Sequence, residues 1–159
     1  KNMKRAITLI LCLCMALFLF GCASQPDEEA PSTMGTKLLA DFKAELENTD
    51  DPSAIVEALS GKDYIEFKSM IMPCEEGYLA GFINEISGFT SAAVFSPVIG
   101  TIPFVCYVFQ TDDAEALKET LDENADPRWN ICTEAEETVC EAVDGYVFFA
   151  MCPGPDFEG

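Results

Sequence analysis

The fold follows from one segment near the C-terminus, Thr138-Val139-Cys140-Glu141-Ala142-Val143-Asp144-Gly145-Tyr146-Val147-Phe148-Phe149-Ala150-Met151. Two β-rich runs flank Asp144-Gly145, and a two-residue Asp-Gly loop between such runs predicts a β-hairpin. The turn sets the register, in which Val143 faces Tyr146, Glu141 faces Phe148 and Val139 faces Ala150. Cys140 then lies opposite Phe149 and not opposite Cys152. The residues that share the predicted core face are Cys140, Val147, Phe149 and Met151.

Upstream of the hairpin, the sequence predicts two more strands and a helix. Phe104 to Gln110 is apolar at nearly every position, which favours a central strand covered on both faces. Ala92 to Ser96 is the second strand, joined to the first by an apolar connection. A helix capped by Thr111 or Asp112 follows, because Glu115 resembles the third position of a capping box.

The first half of the chain predicts helices. Lys37 to Asn48 places its apolar residues on one stripe. Asp51 as N-cap, a proline at the first helical position and the stop signal Ser60-Gly61 define a second helix. Tyr64 to Met72 is ambiguous between strand and loop, and we expect a turn and a short helix around Leu79 to Ile86.

These elements give helices followed by β-β-α-β-β, which predicts an α+β domain. We expect an antiparallel sheet of about four strands, including the C-terminal hairpin, with helices packed on it. Residues 37–159 are predicted to be a single α+β domain, since the 138 residues that follow residue 21 are enough for one domain with a core.

The N-terminus has the order of a bacterial lipoprotein signal. Lys4 and Arg5 precede the apolar run Ala6 to Phe20, which is shorter than a spanning helix. Leu19-Phe20-Gly21-Cys22 resembles a lipobox, in which acylation of the cysteine supplies the membrane anchor. We therefore expect residues 1–21 to be a signal peptide, and residues 22–36 to be a disordered tether rich in Pro and acids. An ordinary cleaved signal and an uncleaved anchor helix remain the alternatives.

The charge of the chain excludes several classes of function. All 28 acidic residues follow Cys22, whereas three of the nine basic residues precede it, so cleavage would leave a net charge of −22. Such a protein repels nucleic acid, and we expect no nucleic-acid partner. A solvated acidic surface is favoured over attraction to cations or to a basic partner. The chain has no histidine, which excludes the usual Ser-His-Asp and Cys-His mechanisms.

Five cysteines lie beyond the predicted lipidation site. They are Cys74, Cys106, Cys132, Cys140 and Cys152. The odd number leaves at least one free thiol or an intermolecular pair, and the disulfide state is otherwise open. No CxxC occurs and the spacings match no zinc pattern, so we expect no metal and no cofactor. Cys106 is predicted to be a buried free thiol.

Arg128-Trp129-Asn130-Ile131-Cys132 is the most unusual run. Arg128 and Trp129 are candidates for ligand binding, since an aromatic plane beside a guanidinium suits a carboxylate or a stacked ligand. The alternative is a loop whose tryptophan fills the edge of the core. Cys132 is a candidate reactive thiol, activated by Arg128 and by a following helix capped at Thr133, and the alternative is a buried thiol.

Two acid clusters and one aromatic segment have ordinary explanations. Asp112 to Glu115 and Glu134 to Glu137 lack the loop spacing of calcium sites and suit helix N-termini. The aromatic residues between Phe82 and Phe109 are explained by core packing more readily than by an apolar ligand pocket.

From about Gly77 to Pro153 the chain resembles a group of small lipoproteins of unknown function from Firmicutes, mostly Clostridia. The segments that carry the resemblance are Gly77 to Phe82, Ser96 to Phe104, Arg128 to Thr133 and Tyr146 to Pro153. The resemblance implies a Gram-positive cell envelope as the location, and it implies no activity.

We therefore expect a lipid-anchored protein on the extracytoplasmic face of the cell membrane. Its expected function is non-enzymatic binding of a ligand or partner at the cell envelope. The alternative is a thiol-dependent redox protein that uses Cys132, and a calcium-dependent adhesion role is third.

Replacing Cys22 tests the anchor. In Cys22→Ala no thiol remains at the predicted cleavage site, so the variant should accumulate as uncleaved precursor or be shed as soluble protein. Metabolic labelling with a fatty-acid probe should mark the wild type and not the variant. Equal labelling of both chains, or no labelling of the wild type, would show that Cys22 is not the anchor.

Overall fold

The computed structural model describes residues 32–154, in which an antiparallel sheet carries helices on both faces. The helices are α1 (Met34–Glu45), α2 (Pro52–Ser60) and α3 (Ala114–Asn124). The strands are β1 (Ser69–Cys74), β2 (Gly77–Tyr78), β3 (Glu85–Ile86), β4 (Ser91–Pro97), β5 (Val105–Gln110), β6 (Glu137–Val143) and β7 (Tyr146–Cys152). Among residues 32–154, no helix has the length and apolar character needed to cross a membrane.

The predicted α+β class and the C-terminal hairpin are confirmed. Five strands pair in the order β1-β4-β5-β7-β6, all antiparallel, and β2 pairs with β3 in a separate small sheet. The hairpin has the predicted register, with Val143 opposite Tyr146 and Cys140 opposite Phe149. Asp144 and Gly145 both have positive φ, 48° and 84°, as the two-residue turn requires. About four strands were expected and the main sheet has five. The additional strand is β1, which overlaps the end of the segment Tyr64 to Met72 that the sequence left ambiguous.

Both faces of the sheet are buried, so the predicted single core face is only half of the core. On one face, α1 and α2 pack on β4, β5 and β7, and the rings of Phe42 and Phe148 lie 5.3 Å apart. On the other face, α3 and the segment 79–89 cover Tyr107 and Phe149, with the ring of Phe82 4.6 Å from that of Phe149. All seven residues of β7 are buried.

The helix caps are partly as predicted. Asp51 caps α2, accepting a hydrogen bond from the Ser53 N–H at 2.9 Å, as the sequence predicted. The cap of α3 is Asp113, which bonds the Ala116 N–H at 3.2 Å, so the prediction of Thr111 or Asp112 was wrong by one or two residues. Helix α1 begins at Met34, three residues before the predicted start.

Two further predictions need correction. The short helix expected around Leu79 to Ile86 is absent, and β2 and β3 form a small hairpin there. Gly81, inside the predicted helix, has a φ of 95°, a conformation that an α-helix cannot contain. Residues 34–36, assigned to the tether, belong to α1, while residues 22–31 lie outside the described residues.

Strand β1 is one edge of the main sheet and contains Pro73. The Val98 N–H donates to the Lys68 carbonyl at 2.9 Å. Because hydrogen-bonded and non-hydrogen-bonded pairs alternate along an antiparallel ladder, the main-chain groups of Ser69, Ile71 and Pro73 point away from β4.

A carboxylate from the other end of the chain holds the start of α1. Glu137 of β6 accepts a hydrogen bond from the Gly35 N–H at 2.9 Å and another from the Thr33 hydroxyl. Thr33 and Thr36 complete a capping box. A Cβ added at Gly35 would lie 2.7 Å from Val139 Cγ2 and 2.8 Å from Glu137 Cδ, so only glycine fits.

Substitution of Gly35 therefore tests this contact. Gly35→Ala should lower the free energy of unfolding by about 1–3 kcal/mol, because α1 must move away from β6. The control is Gly61→Ala, where the new Cβ meets its nearest atom at 3.7 Å, an ordinary contact. Urea denaturation should separate the two variants, and equal stability would contradict the close approach.

Candidate functional site

A groove of about 1000 Å³ opens between the start of α1, the segment Tyr64–Lys68, the connection between β4 and β5, and the adjacent ends of β6 and β7. Its volume is at the upper end of the range for small-molecule sites. The apolar residues of its lining are Met34, Tyr64, Phe67, Pro97, Ile99, Ile102 and Pro153. The charged residues of its lining are Lys37, Lys68, Glu66, Glu136 and Glu137.

The apolar lining is supported by the core beneath it. The ring of Phe67 lies 4.9 Å from that of Phe104, which in turn lies 5.1 Å from Phe95. Phe95 and Phe104 are buried, so Phe67 rests on side chains that cannot move far. The part of the lining formed by Phe67 is therefore held in place by the core.

Tyr64 connects the groove to helix α1. Its hydroxyl donates to Asp41 Oδ2 at 2.5 Å, and Asp41 also pairs with Lys62 at 3.2 Å. Burial, followed by the bond to Asp41, raises the pKa of Tyr64 well above its usual range, so the phenol stays neutral. Lys37 Nζ lies 5.7 Å from the centre of the Tyr64 ring, within cation–π range.

Unpaired cations are concentrated at the groove. Lys62, Lys118 and Arg128 each form an ion pair with a carboxylate. The other basic residues of the described part are Lys37, Lys43 and Lys68, and none of them forms an ion pair within residues 32–154. Lys37 and Lys68 both line the groove. Glu137 on the opposite side accepts hydrogen bonds from Thr33 and Gly35 and keeps its negative charge, so the two lysines share the lining with three carboxylates.

The ligand-binding residues predicted from sequence lie outside the lining of the groove, on the neighbouring loop between α3 and β6. Arg128 is 78% exposed and its guanidinium is 3.6 Å from Glu134, while Trp129 is half-buried against the core beside α3. Trp129 therefore fills the edge of the core, which was the alternative interpretation. Neither they nor Cys132 is among the residues that line the groove. Their role in binding stays a prediction.

The surroundings of Cys132 differ from the prediction. The thiol is exposed and not buried. The helix expected to start at Thr133 is absent, because Thr133 donates its hydroxyl to the Thr101 carbonyl at 2.9 Å and β6 begins at Glu137. One of the two features expected to activate Cys132, a helix N-terminus, is therefore missing.

The other cysteines are also free in the described part, and they are more protected. Cys106 and Cys152 are buried, and burial raises the pKa of both thiols far above the usual range. Burial likewise raises the pKa of Cys140, and it raises that of Cys74 to about 11. The expectation that Cys106 is a buried free thiol is confirmed.

Within residues 32–154, no group of three or more His, Cys, Asp or Glu side chains is arranged to hold a metal ion. Asp113 of the first acid cluster caps α3, as helix N-terminal acids do. The second cluster does not start a helix, since Glu137 belongs to β6.

Comparison of the chain with protein-family models found no match. Comparisons with curated proteins and with solved structures also found none.

The five thiols should differ strongly in reactivity. At pH 8 in the native state, iodoacetamide should label Cys132 first. Cys74 should react far more slowly, because a pKa of about 11 leaves it roughly a hundredfold less thiolate than an ordinary cysteine. Cys106 and Cys152 should react only after unfolding. Peptide mass spectrometry gives the rates, with the denatured chain as control. Native labelling of Cys106 as fast as Cys132 would contradict the buried core.

Proposed function

We propose that the protein is a lipid-anchored binding module on the extracytoplasmic face of the cell membrane, and that its groove holds an amphipathic ligand with an anionic group. The observation that carries this proposal is the composition of the groove, in which an apolar lining adjoins two lysines free of ion pairs. The location is supported by the lipobox at Cys22, by the tether composition and by the resemblance to clostridial lipoproteins.

The ligand's charge follows from the electrostatics of the whole chain. With 28 acidic and nine basic residues, the protein repels anions over most of its surface. Lys37 and Lys68 are the positive charges of a lining that also holds three glutamates, so an anionic group is favoured beside these lysines and not elsewhere in the groove. Lys37 beside the Tyr64 ring and Lys68 on the neighbouring segment favour a carboxylate, sulfonate or phosphate there. The apolar lining favours a hydrocarbon or aromatic portion in the same ligand.

The proposal is of binding and not of catalysis. The chain has no histidine, and no cysteine lines the groove. Tyr64, the phenol of the lining, is held in its neutral form and already donates its proton to Asp41, so it is poorly suited to proton transfer.

A thiol-dependent redox protein is the second candidate, and the exposure of Cys132 is the observation that favours it. An activated thiol would react faster at mildly acidic pH than a free cysteine does. If Cys132 reacts no faster than free cysteine at pH 6, this candidate fails.

The groove is tested with 8-anilinonaphthalene-1-sulfonate, an anionic aromatic probe. The wild type should bind one equivalent with enhanced fluorescence. Ile102→Trp should weaken this binding by obstructing part of the apolar lining, and Lys37→Gln should weaken it by up to about tenfold, the effect of one charge-assisted contact.

Ile83→Trp is the matched control, because Ile83 is exposed but does not line the groove. It should leave probe affinity unchanged. If Ile102→Trp and Ile83→Trp bind the probe equally well, the groove is not the binding site.

A further inference from the structure

Three aliphatic side chains are strongly exposed on two neighbouring loops. Val98 is 54% and Ile99 66% exposed on the loop between β4 and β5, and Ile131 is 99% exposed on the loop between α3 and β6. The side-chain amide of Asn130 donates to the Gly100 carbonyl at 2.8 Å and so ties the loops together. We call Val98, Ile99 and Ile131 the apolar tip.

The apolar tip is uncharged in a very acidic protein. Residues 86–111 and 129–133 contain no Asp, Glu, Lys or Arg, although the chain has 28 acidic residues. Exposed aliphatic side chains grouped on adjacent loops are unusual on a surface that faces only water. Because these segments carry no charged side chain, moving them from water into an apolar environment avoids the large free-energy cost of burying a charge.

The apolar tip also lies beside the point where the tether enters the domain. Ser32, the first described residue, lines the groove together with Ile99. Ser32 follows Cys22 by ten residues, and ten residues span at most about 36 Å when fully extended. If Cys22 carries the lipid, this length keeps Ser32, and with it the groove and Ile99, within reach of the bilayer surface.

We propose that the apolar tip inserts into the interfacial region of the bilayer to which the chain is anchored. The proposal rests on the lipid anchor of the proposed function. Interfacial segments bury apolar side chains at the boundary between headgroups and acyl chains, and the three side chains of the tip are themselves uncharged. The groove, which shares Ile99 with the tip, would then open at the membrane surface. The partner is a lipid surface, and zwitterionic headgroups suit it best, since the acidic body is repelled by anionic ones.

Trp129, the only tryptophan of the chain, reports on this contact because it lies two residues before Ile131. The lipidated full chain is reconstituted in phosphatidylcholine vesicles that contain brominated acyl chains, which quench tryptophan on contact. Interfacial insertion reaches about 5–10 Å into the headgroup–acyl boundary, so roughly half of the Trp129 emission should be lost. The double variant Ile99→Glu, Ile131→Glu should not be quenched.

Tyr78→Glu is the matched control. Tyr78 is 78% exposed on β2, outside the apolar tip, so the variant adds a charge at an exposed apolar residue and should be quenched like the wild type. Flotation of the vesicles distinguishes a failure of the insertion proposal from a failure of the proposed lipid anchor. A wild type that floats without quenching overturns the insertion proposal alone, whereas a wild type that does not float overturns the anchor as well. Quenching that persists in the double variant also overturns the insertion proposal. Crosslinks from the tip to an envelope protein, without quenching, would assign the surface to a protein partner.

Discussion

The burial of β7 on both faces is the constraint on which the domain depends. All seven residues from Tyr146 to Cys152 are buried, so neither face of this strand is left for solvent. Antiparallel sheets commonly have one solvated face, but here each face requires its own cover. Helices α1 and α2 cover one face, and α3 with the β2–β3 segment covers the other. The groove forms at the margin of the first layer, where the cover of α1 ends.

The features that the sequence predicted well are those determined by neighbouring residues. The hairpin register follows from a two-residue turn and a period of two, and the start of α2 follows from Asp51 and Pro52 alone. The start of α1 was missed although Thr33 and Thr36 form a local capping box, because only part of its stabilisation is visible in neighbouring residues. Glu137, 104 residues after Thr33, completes the set of bonds at that helix end. Gly81 was a local signal against the helix predicted around Leu79 to Ile86, because glycine readily adopts the positive φ found there.

The groove could not be predicted from sequence, because its lining comes from five segments that only the fold brings together. The available signals were weak. The acidic chain has few lysines, and the connection from Pro97 to Pro103 is apolar although it joins two strands. Arg128 and Trp129 were singled out because their residue types are rare in this chain. Rarity carries no information about position, and the structure places Trp129 at the edge of the core and not in the lining of the groove.

Pro73 has a consequence for proteins held side by side at high density. A bare strand edge can join the edge of another copy, and such pairing can continue into a fibril. In β1, the outward-facing main-chain donors are those of Ser69 and Ile71, and the third position is a proline, which has no N–H to give. A neighbouring copy could therefore accept main-chain hydrogen bonds from only two residues of this edge. The flanking apolar side chains Met70 and Met72 can thus be exposed without making this edge a template for a growing sheet.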